Sequence, residues 1–309
     1  MSPTADAPRF GRVITAMVTP FDDAGHLDAQ AAIELARWLA AHGSDGLVLS
    51  GSTGESSVLT DEEKADLWRA VAEAVTIPVV AGTGSNDTEH SVKMTKVAAA
   101  CGVDGLLAVT PYYNRPSQAG IDAHFRAVAE AGGGLPVVLY DIPARSGRRI
   151  SQATMLRLAR EVPAIVGLKD AAGDPAGTAH LAAQVPAGFE IYSGDDVMTL
   201  PLLAVGAVGV ISVAAHSVGP QFRAVVDAFL RGDLATAIAG NAELLDSFDF
   251  ESTEDYPNPL PAKAICRALG LKVGQCRLPM GPSTPELDAN AAKILAAVGP
   301  PTETGPPLA

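Results

Sequence analysis

Cysteine, positive charge and metal-binding patterns are all scarce in this sequence, and each shortage removes a class of protein. Only three cysteines occur, Cys101, Cys266 and Cys276, an odd number with no C-x-x-C spacing. No disulfide framework or zinc site follows from them, and a reducing, cytoplasmic compartment is expected. Lys and Arg total 22 against 35 Asp and Glu, giving a formal net charge of −13. Nucleic acids and anionic membranes are bound through clustered cations, so neither is an expected partner. The surplus of carboxylates favours solubility instead. Six histidines (His26, His42, His90, His124, His180 and His216) are scattered without metal-ligand spacing, so no metal is expected. Neither G-x-G-x-x-G nor G-x-x-x-x-G-K-[ST] opens a helix, which removes the usual nucleotide ligands. Met1 to Arg12 lacks the apolar core of a signal peptide. One uncharged run, Val197 to Ala215, approaches membrane-spanning length, but Pro201, Gly206 and Gly209 interrupt it. A buried helix, turn and strand are expected there.

What is present is apolar and alternating. Hydrophobic residues make up 48% of 309 positions, enough to bury a large core. Short β-rich runs fall at Val13–Val18, Gly46–Leu49, Pro78–Ala81, Leu106–Val109, Pro136–Tyr140, Ile165–Lys169, Glu190–Ser193 and Val208–Ser212. Amphipathic stretches separate them, the clearest from Asp61 to Val75, where Thr60 and Glu63 form a capping box. Leu67, Val71, Ala74 and Val75 should share its buried face. A further helix near Thr88–Ala100 follows the turn formers Ser85, Asn86 and Asp87. Eight strands each followed by a helix predict a (β/α)₈ TIM barrel over residues 1–231. After Gly232 the pattern is helical only: Leu234–Phe248, Pro261–Leu269 and Pro285–Val298. Residues 232–309 are therefore expected to form a C-terminal helical extension, with Gly299 to Ala309 frayed.

In such barrels the chemistry lies at the C-terminal strand ends. Those ends here carry Gly51-Ser52-Thr53-Gly54-Glu55, Thr110-Pro111-Tyr112-Tyr113, Tyr140-Asp141 with Arg145 beyond, Lys169-Asp170, and Ser193-Gly194-Asp195-Asp196. Lys169 alone among the seven lysines closes an apolar strand. Burial would lower its pKa, as an amine nucleophile requires; a structural pair with Asp141 or Asp170 is the alternative. Tyr140 ends the neighbouring strand and either transfers protons to that amine or is a rim tyrosine with a satisfied hydroxyl. Ser52 and Thr53 either gather donors around a carboxylate or form a tight turn. Arg145 either grips a second carboxylate or makes a surface ion pair. Asp195 and Asp196 fit a helix cap better than a magnesium site.

Segments GSTGES (51–56), TPYYNRPS (110–117), LYDIPARSG (139–147), GLKDAAG (167–173), SGDD (193–196) and GVISV (209–213) resemble the dihydrodipicolinate synthase and N-acetylneuraminate lyase superfamily. NPLPAK (258–263) and RLPM (277–280) extend the likeness, which runs from about Gly11 to Met280. The resemblance implies Lys169 as a Schiff-base lysine, Tyr140 as the proton-shuttling phenol, and a hydroxyl relay through Ser52 to Tyr113 of a neighbouring subunit. It implies that Thr53 binds the pyruvate carboxylate, that Gly194 and Ile211 line the pocket, and that Arg145 grips the second substrate. Ser52 stands where the synthases usually carry threonine, and Ala144 is lyase-like. Arg145 and the paired tyrosines favour the synthase branch. The implied reaction is condensation of pyruvate with L-aspartate 4-semialdehyde to 4-hydroxy-tetrahydrodipicolinate, with no cofactor beyond the covalent imine, in a homotetramer built from tight dimers. Cleavage or condensation of a 2-keto-3-deoxy sugar acid or sialic acid on the same imine is the alternative. Ser56, Asn86 and Tyr112 match the family's lysine-effector site. His90 replaces its glutamate, and Asp61 and Lys64 occupy its histidine positions, so weak or absent lysine inhibition is expected.

Overall fold

A computed structural model describes residues 7–251 and 253–304. Eight parallel strands close on themselves in chain order: β1 Val13–Ala16, β2 Gly46–Leu49, β3 Val79–Gly82, β4 Gly105–Val109, β5 Val137–Asp141, β6 Ile165–Asp170, β7 Glu190–Ser193 and β8 Gly209–Ser212. The barrel closes where β8 pairs β1, with Ile14 opposite Ile211. Helices interleave as α1 Ala29–Ala41, α2 Asp61–Ala72, α3 Thr88–Ala99, α4 Gln118–Ala131, α5 Pro143–Ser146, α6 Gln152–Glu161, α7 Pro175–Ala182, α8 Thr199–Ala204 and α9 Ala215–Leu230. Three more follow: α10 Leu234–Phe250, α11 Leu260–Ala268 and α12 Pro285–Val298. The (β/α)₈ TIM barrel with additional C-terminal helices is therefore the architecture.

Side-chain alternation along each strand divides the core in two. Val48, Val80, Leu107, Val138, Tyr140, Tyr192 and Ile211 cluster inside the barrel. Leu47, Leu49, Val79, Leu106, Leu139, Leu168 and Ile191 pack outward against the helices. Both faces are covered, which is why the strands read as unbroken apolar runs.

Several expectations shift by a residue or two at the strand ends, and a few need correction. The capping box of α2 forms, with Thr60 Oγ1 accepting from the Glu63 amide and the Glu63 carboxylate accepting from the Thr60 amide. The helix stops at Ala72, however, so Ala74 and Val75 lie beyond it and are only half-buried; Lys64, Leu67, Trp68 and Val71 form its buried face. The helix cap expected of Asp195 and Asp196 does not form: α8 has no side-chain cap, and Asp196 Oδ2 instead accepts from the amides of Val213 and Ala214 in the turn between β8 and α9. In the stretch expected to fray after Gly299, residues 299–304 have no regular secondary structure, and the Thr304 amide donates to the Ala41 carbonyl at 2.9 Å. The rest of that stretch, residues 305–309, lies outside the described residues. No helix among the described residues is long and apolar enough to cross a membrane.

Candidate active site

β5 and β6 pair in register with Tyr140 opposite Lys169 and Asp141 opposite Asp170. Because neighbouring strand residues point to opposite faces, Tyr140 and Lys169 turn into the barrel while both aspartates turn towards the helices. Asp141 there accepts from the Ile150 amide and faces Arg149, and Asp170 accepts from Thr178 at 2.6 Å. The structural pairing of Lys169 with either aspartate therefore does not occur. Lys169 is 5% exposed and has no ion-pair partner among the described residues. Its ammonium nitrogen instead lies 4.5 Å from the centre of the Tyr140 ring, a cation–π contact.

Burial without a partner destabilises a charge. Desolvation brings the Lys169 ammonium down to about 8; the carboxylate of Asp196 opposes that fall and the guanidinium of Arg145 adds to it. Burial likewise pushes the Tyr140 phenol up to about 12, against the pull of Arg145 and of a hydrogen bond from Ser52. The pair thus offers, near neutral pH, an amine with an appreciable neutral fraction beside a phenol that keeps its proton. Such an arrangement can attack a ketone and move protons between the atoms that follow.

A cavity of about 230 Å³ opens above this pair, lined among others by Ser52, Tyr112, Tyr140, Ile142 and Arg145. Three of the expected site residues, Ser52, Tyr140 and Arg145, share that wall. Lys169, Gly194 and Ile211 are outside that lining: Ile211 packs in the barrel interior with Tyr140, and Gly194 is half-buried. A Cβ on Gly194 would come to 3.0 Å from the Lys169 side chain, so the amine's stem packs closely against the glycine backbone. Thr53 is buried beside the cavity and accepts a hydrogen bond from Asn258. Tyr113 is not brought to this site within the chain; it is 89% exposed on the loop after β4.

Some of the frame has little signal in the sequence. Among the described residues four non-glycine positions adopt positive φ, Ser50, Glu55, Tyr113 and Arg115, all on the loops after β2 and β4. Such strain persists only where surroundings over-determine it. Ser50 is held by Trp68, whose indole N–H donates to its hydroxyl at 2.8 Å. Glu55 is held from the far end of the chain: Lys263 of α11 lies 2.7 Å from its carboxylate, both side chains being almost fully buried. The Arg277 amide donates to the other Glu55 oxygen at 2.9 Å. Removing one partner of such a buried pair typically costs about 3–5 kcal/mol. The apolar neighbours of Lys263 in α11 were the only sequence signal for its burial.

A closed parallel barrel presenting a buried amine beside a buried phenol defines a class of protein built for carbonyl chemistry through a lysine. Comparison with known proteins narrows that class. Residues 9–298 match the model of the Dihydrodipicolinate synthetase family, and the chain belongs to that family. It is 49% identical over 294 residues to the 4-hydroxy-tetrahydrodipicolinate synthase of Symbiobacterium thermophilum, covering 94% of this chain and 99% of that protein. Among solved structures, a dihydrodipicolinate synthase from Cyanidioschyzon merolae with lysine bound superposes with a TM-score of 0.91. It is 42% identical and covers 94% of this chain and 98% of that one. The chloride-inhibited enzyme from Acinetobacter baumannii, solved with pyruvate, gives a TM-score of 0.88 at 34% identity, covering 94% and 99%.

The electrostatics of Lys169 set a pH dependence. Only the neutral amine attacks, so the rate of pyruvate imine formation should rise with pH through a midpoint near about 8. Arg145→Ala removes a nearby cation and should move that midpoint up; Asp196→Asn removes a stabilising anion and should move it down. Rapid-quench trapping across pH measures it, and a midpoint at the ordinary lysine value of 10.5 would contradict the desolvation argument.

Proposed function

We propose that the protein condenses pyruvate with L-aspartate 4-semialdehyde to 4-hydroxy-tetrahydrodipicolinate, the committed step towards diaminopimelate and lysine. The observation that carries this reading is the unpaired, desolvated Lys169 beside Tyr140, in a chain so similar to synthases of that reaction. Lys169 Nζ attacks the pyruvate ketone and water leaves, giving an imine. Tyr140 passes protons as the imine becomes an enamine, with Ser52 and a neighbouring subunit's Tyr113 completing the relay. The enamine carbon attacks the aldehyde, and the semialdehyde amino group then displaces Lys169. The protonated imine is itself the electron sink, so the chemistry calls for no external cofactor.

Thr53 is assigned to the pyruvate carboxylate, Gly194 and Ile211 to the pocket around the imine, and Arg145 to the carboxylate of the aldehyde. The exposed, positive-φ Tyr113 supports a site shared between subunits, and we assign a homotetramer of tight dimers, working in the cytoplasm on small-molecule substrates. Residues 1–231 form the catalytic barrel in this reading and residues 232–309 its helical extension. The test is a pyruvate-plus-semialdehyde assay run against cleavage assays for sialic acid and 2-keto-3-deoxygluconate. Condensation should dominate, and a preference for sugar-acid cleavage would overturn the assignment. Arg145→Ala should weaken semialdehyde use by about 2–5 kcal/mol, the range for losing a hydrogen-bonded charge pair that the bound substrate desolvates, and should leave imine formation possible with only its pH midpoint raised; unchanged semialdehyde kinetics would refute its role.

Inhibition by lysine should be weak or absent. Asp61, which could substitute for the missing glutamate, is already engaged by His90 at 2.7 Å and Lys93 at 2.7 Å. An incoming ammonium would have to displace these contacts. Titrating L-lysine at sub-saturating pyruvate checks this, and clear inhibition at sub-millimolar concentration would contradict it.

A further inference from the structure

Two side-chain ties fasten the loop after β2 to the segment that opens α11. One is the buried Glu55–Lys263 pair. The other is a buried hydrogen bond at 3.0 Å, in which the Asn258 side-chain amide donates to Thr53 Oγ1. Asn258 makes a third contact with its backbone: its carbonyl accepts from Arg145 Nη2 at 3.2 Å. One residue far along the chain thus touches both of the side chains assigned to the two substrates' carboxylates. Its flanks are Pro257 and Pro259, whose rings narrow the backbone conformations open to this segment.

The direction of the Thr53 contact has a chemical consequence. A hydroxyl has one proton to give and two lone-pair sites. With an Asn258 N–H directed at its oxygen, Thr53 is an acceptor on that side, and its single proton is left for a different partner. A carboxylate, which only accepts, is the partner that arrangement suits.

We propose that Asn258 is a positioning residue for pyruvate: its side chain sets the Thr53 hydroxyl as a donor to the substrate carboxylate, while its backbone carbonyl holds Arg145 at the site entrance. This rests on the assignment of Thr53 to pyruvate given above. The two contacts use different parts of the residue, so a side-chain substitution separates them.

The experiment is steady-state kinetics in the condensation assay, varying pyruvate and semialdehyde in turn. Asn258→Ala should raise the pyruvate KM about fivefold to twentyfold, the cost of a lost buried hydrogen bond. The semialdehyde KM should move less than about twofold, because the carbonyl contact to Arg145 survives. Asn258→Asp should raise the pyruvate KM further, since an acceptor and a negative charge then face Thr53. Thr53→Val and the double variant with Asn258→Ala close the cycle; the double variant should be no worse for pyruvate than the worse single one. If the Asn258 variants do not fold, Asn258→Gln and Thr53→Val carry the same comparison: both should raise the pyruvate KM selectively. Equal rises in both KM values, a loss confined to thermal stability or kcat, or strictly additive effects would overturn the proposal. A wild-type protein that fails to condense the two substrates would instead remove the functional assignment on which it rests.

Discussion

An ammonium group taken out of water with no carboxylate to pair with is the constraint on which the rest of this site depends. Lys169 is held that way by strand geometry: the adjacent acid, Asp170, and its β5 counterpart Asp141 are turned to the opposite face of the sheet. What remains around the amine is the ring of Tyr140, the stem-hugging Gly194, and the longer-range fields of Asp196 and Arg145. Lys263 shows the contrasting solution. It is more deeply buried than Lys169, yet Glu55 lies 2.7 Å away and the Gln275 carbonyl accepts from it at 2.9 Å. One buried lysine is paired and fastens a loop; the other is left unpaired, as the nucleophile proposed above requires.

The C-terminal helices belong to the same account. Glu55 and Thr53 sit in a loop whose φ values alone would cost energy. α11 and the segment before it supply the contacts that hold this loop, through Lys263 and Asn258, and Arg277 adds an amide to Glu55 and a guanidinium to Glu63. Through these ties the helical extension braces the loop after β2 that carries Thr53 and Glu55.

Much of this could be read from the chain beforehand, for a physical reason. Strands covered on both faces leave continuous apolar runs, and a lysine that closes one of them is conspicuous, so all eight strands and the place of Lys169 and Tyr140 were legible. The end of α12 at Val298 and the Thr60–Glu63 capping box are local signals and were legible too. Contacts between distant segments were not. Nothing near Thr53 announces Asn258, and nothing near Lys263 announces Glu55. The same holds for Asp196, whose amide partners lie in the turn between β8 and α9 rather than on the helix it precedes. The end of α2 was overrun because Ala74 and Val75 continue the apolar spacing after the helix has stopped. Tyr113 was legible as a tyrosine pair in a motif, whereas its left-handed backbone and full exposure were not.

The account turns on one amine among three buried lysines. Burial lowers Lys64, Lys169 and Lys263 alike, but only Lys169 faces the barrel interior beside Tyr140. Reducing the protein with borohydride in the presence of pyruvate, then mapping the modified peptides by mass, separates them directly. A single pyruvate-derived adduct on the peptide carrying Lys169 is the predicted result; an adduct on Lys64 or Lys263, or none at all, would contradict the account.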